Sequence, residues 1–270
     1  METGPSLVKD APYAPPVVKV TPPVAGLGAR LSGALLDLLY PPVCLSCDAP
    51  VASPDAICTD CFRALRPITA PMCPVLGLPF EVSIGPDARS AEAIADPPPF
   101  ERSRSAVVYN QVARRLVSRL KYGDRPELAR LMARLTAQAG HELWGADAVL
   151  VPVPLHSWRQ FHRRYNQSAE LARALSRHTG LPVDTALVRR KKPTRQQVGL
   201  SADARQRNVA GAFAAHPDLL LRLGGRRAII VDDVITTGAT VKAVTRALKS
   251  AGAEKVDVVS FARVVIGSDD

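Results

Sequence analysis

An α/β fold, built on a parallel sheet covered by helices on both faces and preceded by a small cysteine-rich module, is what this 270-residue chain predicts. Three observations carry that expectation. Short β-branched runs alternate with amphipathic segments from about residue 104 onward. Four cysteines fall between 44 and 61 as two Cys-x-x-Cys pairs, and a proline-rich stretch, "ADPPPF" (95–100), separates the two regions.

Taken in order, residues 1–26 hold six prolines and no periodic apolar pattern, which predicts a tail that buries too little surface to offset its ordering entropy. "LGARLSGALLDLLY" (27–40) carries Arg30 and Asp37 and reads as a docking helix with one apolar face. "RSAVVYN" (104–110) reads as a strand, and Ala113, Leu116, Val117 and Leu120 then fall at helical spacing. A second helix opens with Pro126 in its first turn and repeats Leu128, Leu131, Met132 and Leu135 before Gly140. "AVLVPVP" (148–154) is a strand, and Leu171, Ala172 and Leu175 mark a helix that Gly180 closes. "AIIVDDV" (228–234), a helix over 239–251 with Val241, Val244 and Leu248, and "VDVVSFARVV" complete a strand, helix, strand unit. The tract 189–213 lacks helical periodicity at its start and reads as a long binding loop or lid. The expected division is therefore a tail (1–26), a docking helix and single zinc ribbon (27–75), a linker (76–100) and an α/β domain (101–270).

With 47% hydrophobic and 22% charged residues the composition is that of a soluble globular protein. The formal charge of +10 favours anionic partners: nucleic acid, phosphorylated metabolites or an acidic membrane surface. No basic stretch with an apolar signal core opens the chain, and no apolar run reaches the length of about 18 residues that a spanning helix needs. Cytoplasmic placement without a membrane span is the expectation.

Open parallel sheets bind ligands beyond the carboxyl ends of their strands, where "DDVITTGAT" (232–240) would lie. Asp232 and Asp233 can accept hydrogen bonds from sugar hydroxyls. Thr236, Thr237, Gly238, Ala239 and Thr240 lead into a helix whose backbone N–H groups suit an anion. Ordinary turn chemistry, an acidic strand end before a Thr-capped helix, competes with that reading. No GxxxxGK[ST] or GxGxxG occurs here.

"AIIVDDVITTGAT" closely resembles the phosphoribosyl pyrophosphate (PRPP) loop of type I phosphoribosyltransferases. "VLVPVPLHSWRQFHRRYNQSAELA" resembles the pyrophosphate-loop region of the ComF family, and "PTRQQVGLSADARQRNVAGAF" that family's flexible loop. "LLDLLYPPVCLSC" and "DPPPFERSRSAVVYNQVARRLVSRLKYGD" are similar to its remaining landmarks, so the resemblance spans roughly 31–267. It implies a type I phosphoribosyltransferase fold preceded by a zinc ribbon, in a family some of whose members are linked to DNA uptake in natural competence.

Carried over residue by residue, the resemblance gives Thr236 to Thr240 the 5-phosphate and Asp232 and Asp233 the ribose hydroxyls. Magnesium would bridge ribose and pyrophosphate oxygens. Leu155, His156, Ser157, Trp158 and Arg159 would face the pyrophosphate, with Arg159 or Arg163 as the cation. Thr194, Gln197, Arg205 and Asn208 would belong to the loop that closes over the reaction. A solvated basic turn is the competing account of Arg159, Arg163 and Arg164. Two departures stand out: Thr236 occupies a position where purine-salvage members of the superfamily often carry aspartate, and Arg164 replaces the glycine usual before the aromatic-Asn-Gln segment.

"CLSC" (Cys44, Cys47) and "CTDC" (Cys58, Cys61) are separated by ten residues, a spacing that puts four thiolates around one zinc ion. Redox cysteines or disulfides are the alternatives. Cys73 opens "CPVLGLPF", similar to the family's CPxCGLPF knuckle but with Leu76 at the second cysteine, so one structural zinc and a free Cys73 are expected.

Two functions follow from the resemblance. One is a phosphoribosyltransferase acting on PRPP and an acceptor. The other is a single-stranded DNA-binding accessory of DNA uptake, working with competence-machinery proteins, whose PRPP site is regulatory or vestigial. "RRKKPTR" and the arginines between 102 and 134 favour the second, although aromatic residues for base stacking make up only 5% of the chain. A protein adaptor acting through the ribbon is a third class.

Overall fold

The computed structural model describes residues 41–85, 87–122, 125, 127–155, 165–191 and 211–267. The Pro-rich tail and the expected docking helix lie outside the described residues. In chain order the elements are α1 (Thr59–Ala64), α2 (Ala91–Ala95), β1 (Ser103–Val108), α3 (Gln111–Tyr122), α4 (Glu127–Ala139), a 3-10 turn (His141–Leu143) and β2 (Ala148–Pro152). There follow α5 (Gln167–Thr179), β3 (Val188–Arg190), β4 (Phe213–Ala215), α6 (Leu219–Leu223), β5 (Arg227–Ile235), α7 (Ala239–Ser250) and β6 (Val256–Arg263).

Four strands form one parallel sheet in the order β1-β6-β5-β2. Its residues read as continuous apolar runs because both faces are covered. Along β5 the side chains alternate: Ile229 and Val231 enter a core shared with α3, α4 and α5, while Ala228 and Ile230 enter one shared with α7. Val107 bridges Pro67 on one sheet edge, and Leu150 bridges Val183 on the other.

Element ends follow local chemistry. β1 stops two residues before the expected Asn110, whose side chain instead accepts from Ala113 N at 3.1 Å and caps α3. Asn166 caps α5 by accepting from Ser168 N, and Gly180 closes it in the left-handed conformation at φ 73°. The tract expected as one long loop has its stems paired as an antiparallel hairpin: Val188 to Arg190 face Ala215 to Phe213, and the Arg190 guanidinium sits 5.3 Å from the Phe213 ring centroid. Three-residue strands give too little alternation to be visible in sequence.

Residues 76–100, expected as a linker, begin inside a turn over 73–78 and contain helix α2, capped by the Ser90 side chain. This segment packs into the α7-side core through Leu76, Ala93 and Phe100. Cys44, Leu45, Cys61 and Leu65 of the preceding segment enter the other core.

Charge is distributed by strand end. Near the amino ends, fully buried Asp257 is paired with Arg102 at 3.1 Å and Arg227 at 2.7 Å, a structural triad. The carboxyl ends carry the acidic pair of β5.

Candidate functional site

Asp232 and Asp233 sit in the second half of β5, 9% and 8% exposed. The sequence puts two carboxylates side by side where the sheet is still covered, so neither has bulk water to absorb its charge. Three groups answer them. Ser168 at the start of α5 donates its hydroxyl to Asp232 Oδ1 at 3.1 Å, Asp233 N donates to the same oxygen at 3.0 Å, and Lys121 Nζ lies 2.5 Å from Asp233 Oδ2. Burial, reinforced by the charge of Asp233, pushes the Asp232 carboxyl up to about 7, against the opposing pull of Lys121 and Ser168. Burial works against the Lys121 charge too, but Asp233 and Asp232 outweigh it and hold the ammonium above its ordinary value.

Beyond Ile235 the chain turns through Thr236, Thr237 and Gly238 into α7. Gly238 takes φ 75° at the helix N-cap, with no non-hydrogen atom closer than 3.8 Å to where a Cβ would stand. Backbone conformation, rather than crowding, therefore favours glycine here. Thr237 Oγ1 accepts from Ala239 N at 3.4 Å. Gly238 offers no side chain to close the helix start, so a multi-residue helix presents its positive end beside the carboxylates. Lys242, one turn into α7, pairs with Asp96 at 2.7 Å, which brings the end of the α2 segment to the same loop.

Leu155 ends the segment leaving β2, and Asn166 Nδ2 donates to Val153 O at 3.0 Å, so the two stems of the intervening stretch are tied together. His156, Ser157, Trp158, Arg159 and Arg163 lie outside the described residues, as do Thr194, Gln197, Arg205 and Asn208 of the expected flexible loop. Lys191 N donates to Ala212 O at 2.7 Å across the base of that loop.

Lys121 and Ser168 were not singled out by sequence reasoning. Lys121 occupies the last turn of α3, where a cation suits the helix dipole, and that bland account hid it. Ser168 reads as a helix-start residue after Asn166. A Lys followed closely by Gly123, at the end of an amphipathic helix, was the available signal.

The cysteines converge. All four sulfurs of Cys44, Cys47, Cys58 and Cys61 lie within 4.8 Å of one another, with Cys47 Sγ and Cys58 Sγ at 3.6 Å. A tetrahedral zinc-thiolate centre with bonds of about 2.3 Å separates its sulfurs by about 3.8 Å. The donor set therefore fits zinc. Ser46 N and Cys58 N donate to Cys44 Sγ at 3.4 and 3.2 Å, and Cys61 N to Cys58 Sγ at 3.4 Å, the N-cap contact of α1. Burial raises the Cys61 thiol to about 12, whereas Cys44, despite the opposing effect of burial, is drawn to about 6 by the N–H groups of Cys58, Cys47 and Ser46.

Two arginines one turn apart on α3 hold this knuckle. Arg115 Nε donates to Ser46 Oγ at 3.1 Å and its Nη2 lies 3.9 Å from Cys61 Sγ; Arg119 binds the Asp48 carboxylate through both terminal nitrogens. Arg102 with Asp257, Arg104 with Glu142 and Arg130 with Asp55 are likewise paired. Several of the basic residues from 102 to 134 are thus engaged in pairs within the protein, while Arg114, Arg130 and Arg134 are exposed. No helix among the described residues is long and apolar enough to cross a membrane.

Comparison with known proteins adds the following. Residues 35–94 match the double zinc ribbon domain family and residues 118–267 the phosphoribosyl transferase domain family. DNA utilization protein YhgH of Salmonella typhimurium is 34% identical over 234 residues, covering 84% of this chain and 100% of that protein. Competence protein F of Haemophilus influenzae is 36% identical over 154 residues, 55% of this chain and 66% of the relative. A solved purine phosphoribosyltransferase from Pyrococcus horikoshii aligns with a TM-score of 0.29 at 18% identity, over 53% of this chain and 89% of that one.

Proposed function

The chain belongs to the phosphoribosyl transferase domain family, in its zinc-ribbon, ComF-type group, and from that premise we propose that it binds PRPP at the carboxyl end of β5. One observation carries the reading: two buried carboxylates stand directly before a left-handed Gly238, which opens a helix whose N-cap carries no side chain. The carboxylates of Asp232 and Asp233 accept from the ribose hydroxyls. The backbone and hydroxyls from Thr236 to Thr240 receive the 5-phosphate. Leu155 leads into the pyrophosphate loop, where His156, Ser157, Trp158, Arg159 and Arg163 face the diphosphate. Magnesium bound together with PRPP would supply charge neutralisation there.

In a transfer reaction the bond between ribose C1 and a pyrophosphate oxygen breaks, the electron pair leaving with pyrophosphate, and an acceptor lone pair forms the new bond to C1. Arg159 or Arg163 stabilises the departing charge, and the loop carrying Thr194, Gln197, Arg205 and Asn208 excludes water. Zinc at Cys44, Cys47, Cys58 and Cys61 is structural, one ion per chain.

A second reading, an accessory that binds single-stranded DNA during DNA uptake, is supported by the names of the relatives and by the charge of +10. The experiment that separates them titrates PRPP with magnesium, and single-stranded DNA, against wild type, Asp233→Ala and Thr237→Ala over a salt series. The PRPP reading expects wild-type binding that each substitution weakens by about tenfold or more, equivalent to about 1.4 kcal/mol. Undetectable PRPP binding by the wild type overturns it. DNA affinity that falls steeply with salt and ignores both substitutions supports the second reading.

A further inference from the structure

Helix α3 begins just after β1, yet its last turn reaches Asp233 two strands away in the order β1-β6-β5. It therefore crosses the carboxyl end of the sheet, carrying a lysine to the acidic pair. Its path is held at several points. Arg115 and Arg119 grip the cysteine knuckle, and the Tyr165 hydroxyl, just before α5, donates to Leu120 O, adjacent to the lysine. Among the described residues, Lys121 makes the one ion pair to either carboxylate.

Resting on the PRPP reading, we propose that Lys121 is a positioning residue for the ribose. Paired with Asp233 Oδ2 from a helix fixed to the zinc knuckle, it supplies the counter-charge that lets two adjacent buried carboxylates act together as acceptors for a vicinal diol.

The electrostatics require such a group. Two neighbouring carboxylates with little solvent repel one another, and one of them takes up a proton unless a cation is present. A protonated carboxyl offers a sugar hydroxyl a weaker acceptor. Asp232 Oδ1 is already engaged by Ser168 and by Asp233 N, so its other oxygen is the one left for the sugar. The groups facing this carboxyl are Asp233 on its own strand, Lys121 from α3, the Ser168 hydroxyl from α5 and, through Lys121, the Tyr109 phenol following β1. The carboxyl of Asp232, held at about 7 chiefly by burial, is thus poised so that one nearby charge decides its state at neutral pH.

The test is PRPP affinity with magnesium from pH 6 to 9 for wild type, Lys121→Met, Lys121→Gln and Lys121→Arg, each checked for one zinc per chain and a cooperative melt. Wild-type affinity is expected to rise as pH passes through neutrality and Asp232 loses its proton. Lys121→Met and Lys121→Gln shift that rise upward by about one pH unit, weakening binding about fivefold at pH 7 and recovering nearly all of the loss at pH 9. Lys121→Arg restores the wild-type profile. A uniform loss at every pH would mark Lys121 as scaffolding only, and unchanged binding in the two neutral variants would sink the proposal while leaving PRPP recognition standing. A wild type that binds no PRPP would remove the reading itself, and with it the role of Lys121.

Discussion

In the first half of the ribbon Cys44 N donates to Ala49 O at 2.7 Å, Asp48 N to Cys44 O at 3.1 Å and Val51 N to Pro42 O at 2.9 Å. The second half repeats this at a constant offset: Cys73 N to Leu78 O, Gly77 N to Cys73 O and Phe80 N to Pro71 O, all at 2.8 Å. Val43 bridges Pro50, and Met72 bridges Pro79. The helices correspond as well. Cys58 N reaches Cys44 Sγ at 3.2 Å and Ser90 N reaches Cys73 Sγ at 3.4 Å, while Cys58 caps α1 as Ser90 caps α2. Position by position, Cys44, Cys47, Cys58 and Cys61 become Cys73, Leu76, Ser90 and Ala93. The turn frame therefore does not depend on the metal. What differs is the centre: four sulfurs in the first half, and in the second a lone thiol among buried Leu76, Ser90 and Ala93, packed on the sheet. Both halves enter a core of the sheet, the first through Cys44, Leu45, Cys61 and Leu65 and the second through Leu76, Ala93 and Phe100, so what sets them apart is the set of metal-ligating side chains and not access to a core.

The largest expected effect lies in removing the metal. Zinc ribbons and fingers draw roughly 10–16 kcal/mol from the ion. Chelation, or Cys61→Ser, should take zinc from one per chain to a small fraction and abolish amide protection over residues 42–65. Residues 71–95 should keep theirs. Hydrogen exchange read by mass spectrometry decides it, and protection persisting in both halves would erase the distinction. Second in size, Leu76→Cys, Ser90→Cys and Ala93→Cys together should raise bound zinc to two per chain by metal analysis. A count fixed at one would mean that the second frame is closed to a metal and is no true repeat. Arg263 is buried, and its Nε and Nη1 lack hydrogen-bond partners among the described residues; burial lowers its guanidinium to about 10, against the opposing influence of Cys73 and Glu92. It supplies a cation near the second centre, much as Arg115 lies near the first.

The same comparison explains what the sequence could disclose. Strands β1, β2, β5 and β6 and helices α3, α4, α5 and α7 were legible because continuous β-branched runs and 3.6-residue spacing are properties of the segment alone. Cys44, Cys47, Cys58 and Cys61 were legible because ligand chemistry fixes both residue type and spacing. Cys73 stood out through a resembling knuckle, but Ser90 and Ala93 carry no ligand signal, so the fold of 76–95 was hidden once its cysteines were replaced. Asp232 and Asp233 were visible as a pair, whereas Lys121 became significant only through a crossing of the sheet that no local pattern specifies. Tertiary placement, not residue type, makes that lysine part of the site.

The smallest effects separate the halves at one shared backbone position. Asp48 and Gly77 both take left-handed conformations, φ 62° and 64°. At Gly77 an added Cβ would stand 2.4 Å from the Ser103 carbonyl oxygen, a backbone atom of β1 that cannot move aside without disturbing the sheet. Gly77→Ala therefore adds a clash to the left-handed strain of about 1 kcal/mol, and a loss of roughly 2–4 kcal/mol is expected, visible as a fall in Tm of several degrees. The first half tolerates a side chain at the equivalent position because its carboxylate turns outward to Arg119, which holds the Asp48 carboxyl below its usual range. Asp48→Gly relieves the left-handed strain, loses an exposed ion pair and adds unfolded-state freedom, so Tm should move by no more than about 2 °C. Because a depressed carboxyl contributes above its unfolded pKa and stops contributing as pH falls through the folded one, the difference from wild type should narrow further near pH 3. Equal losses for Gly77→Ala and Asp48→Gly would show that the two turns answer to the same constraint, and that packing against β1 is not what set them apart.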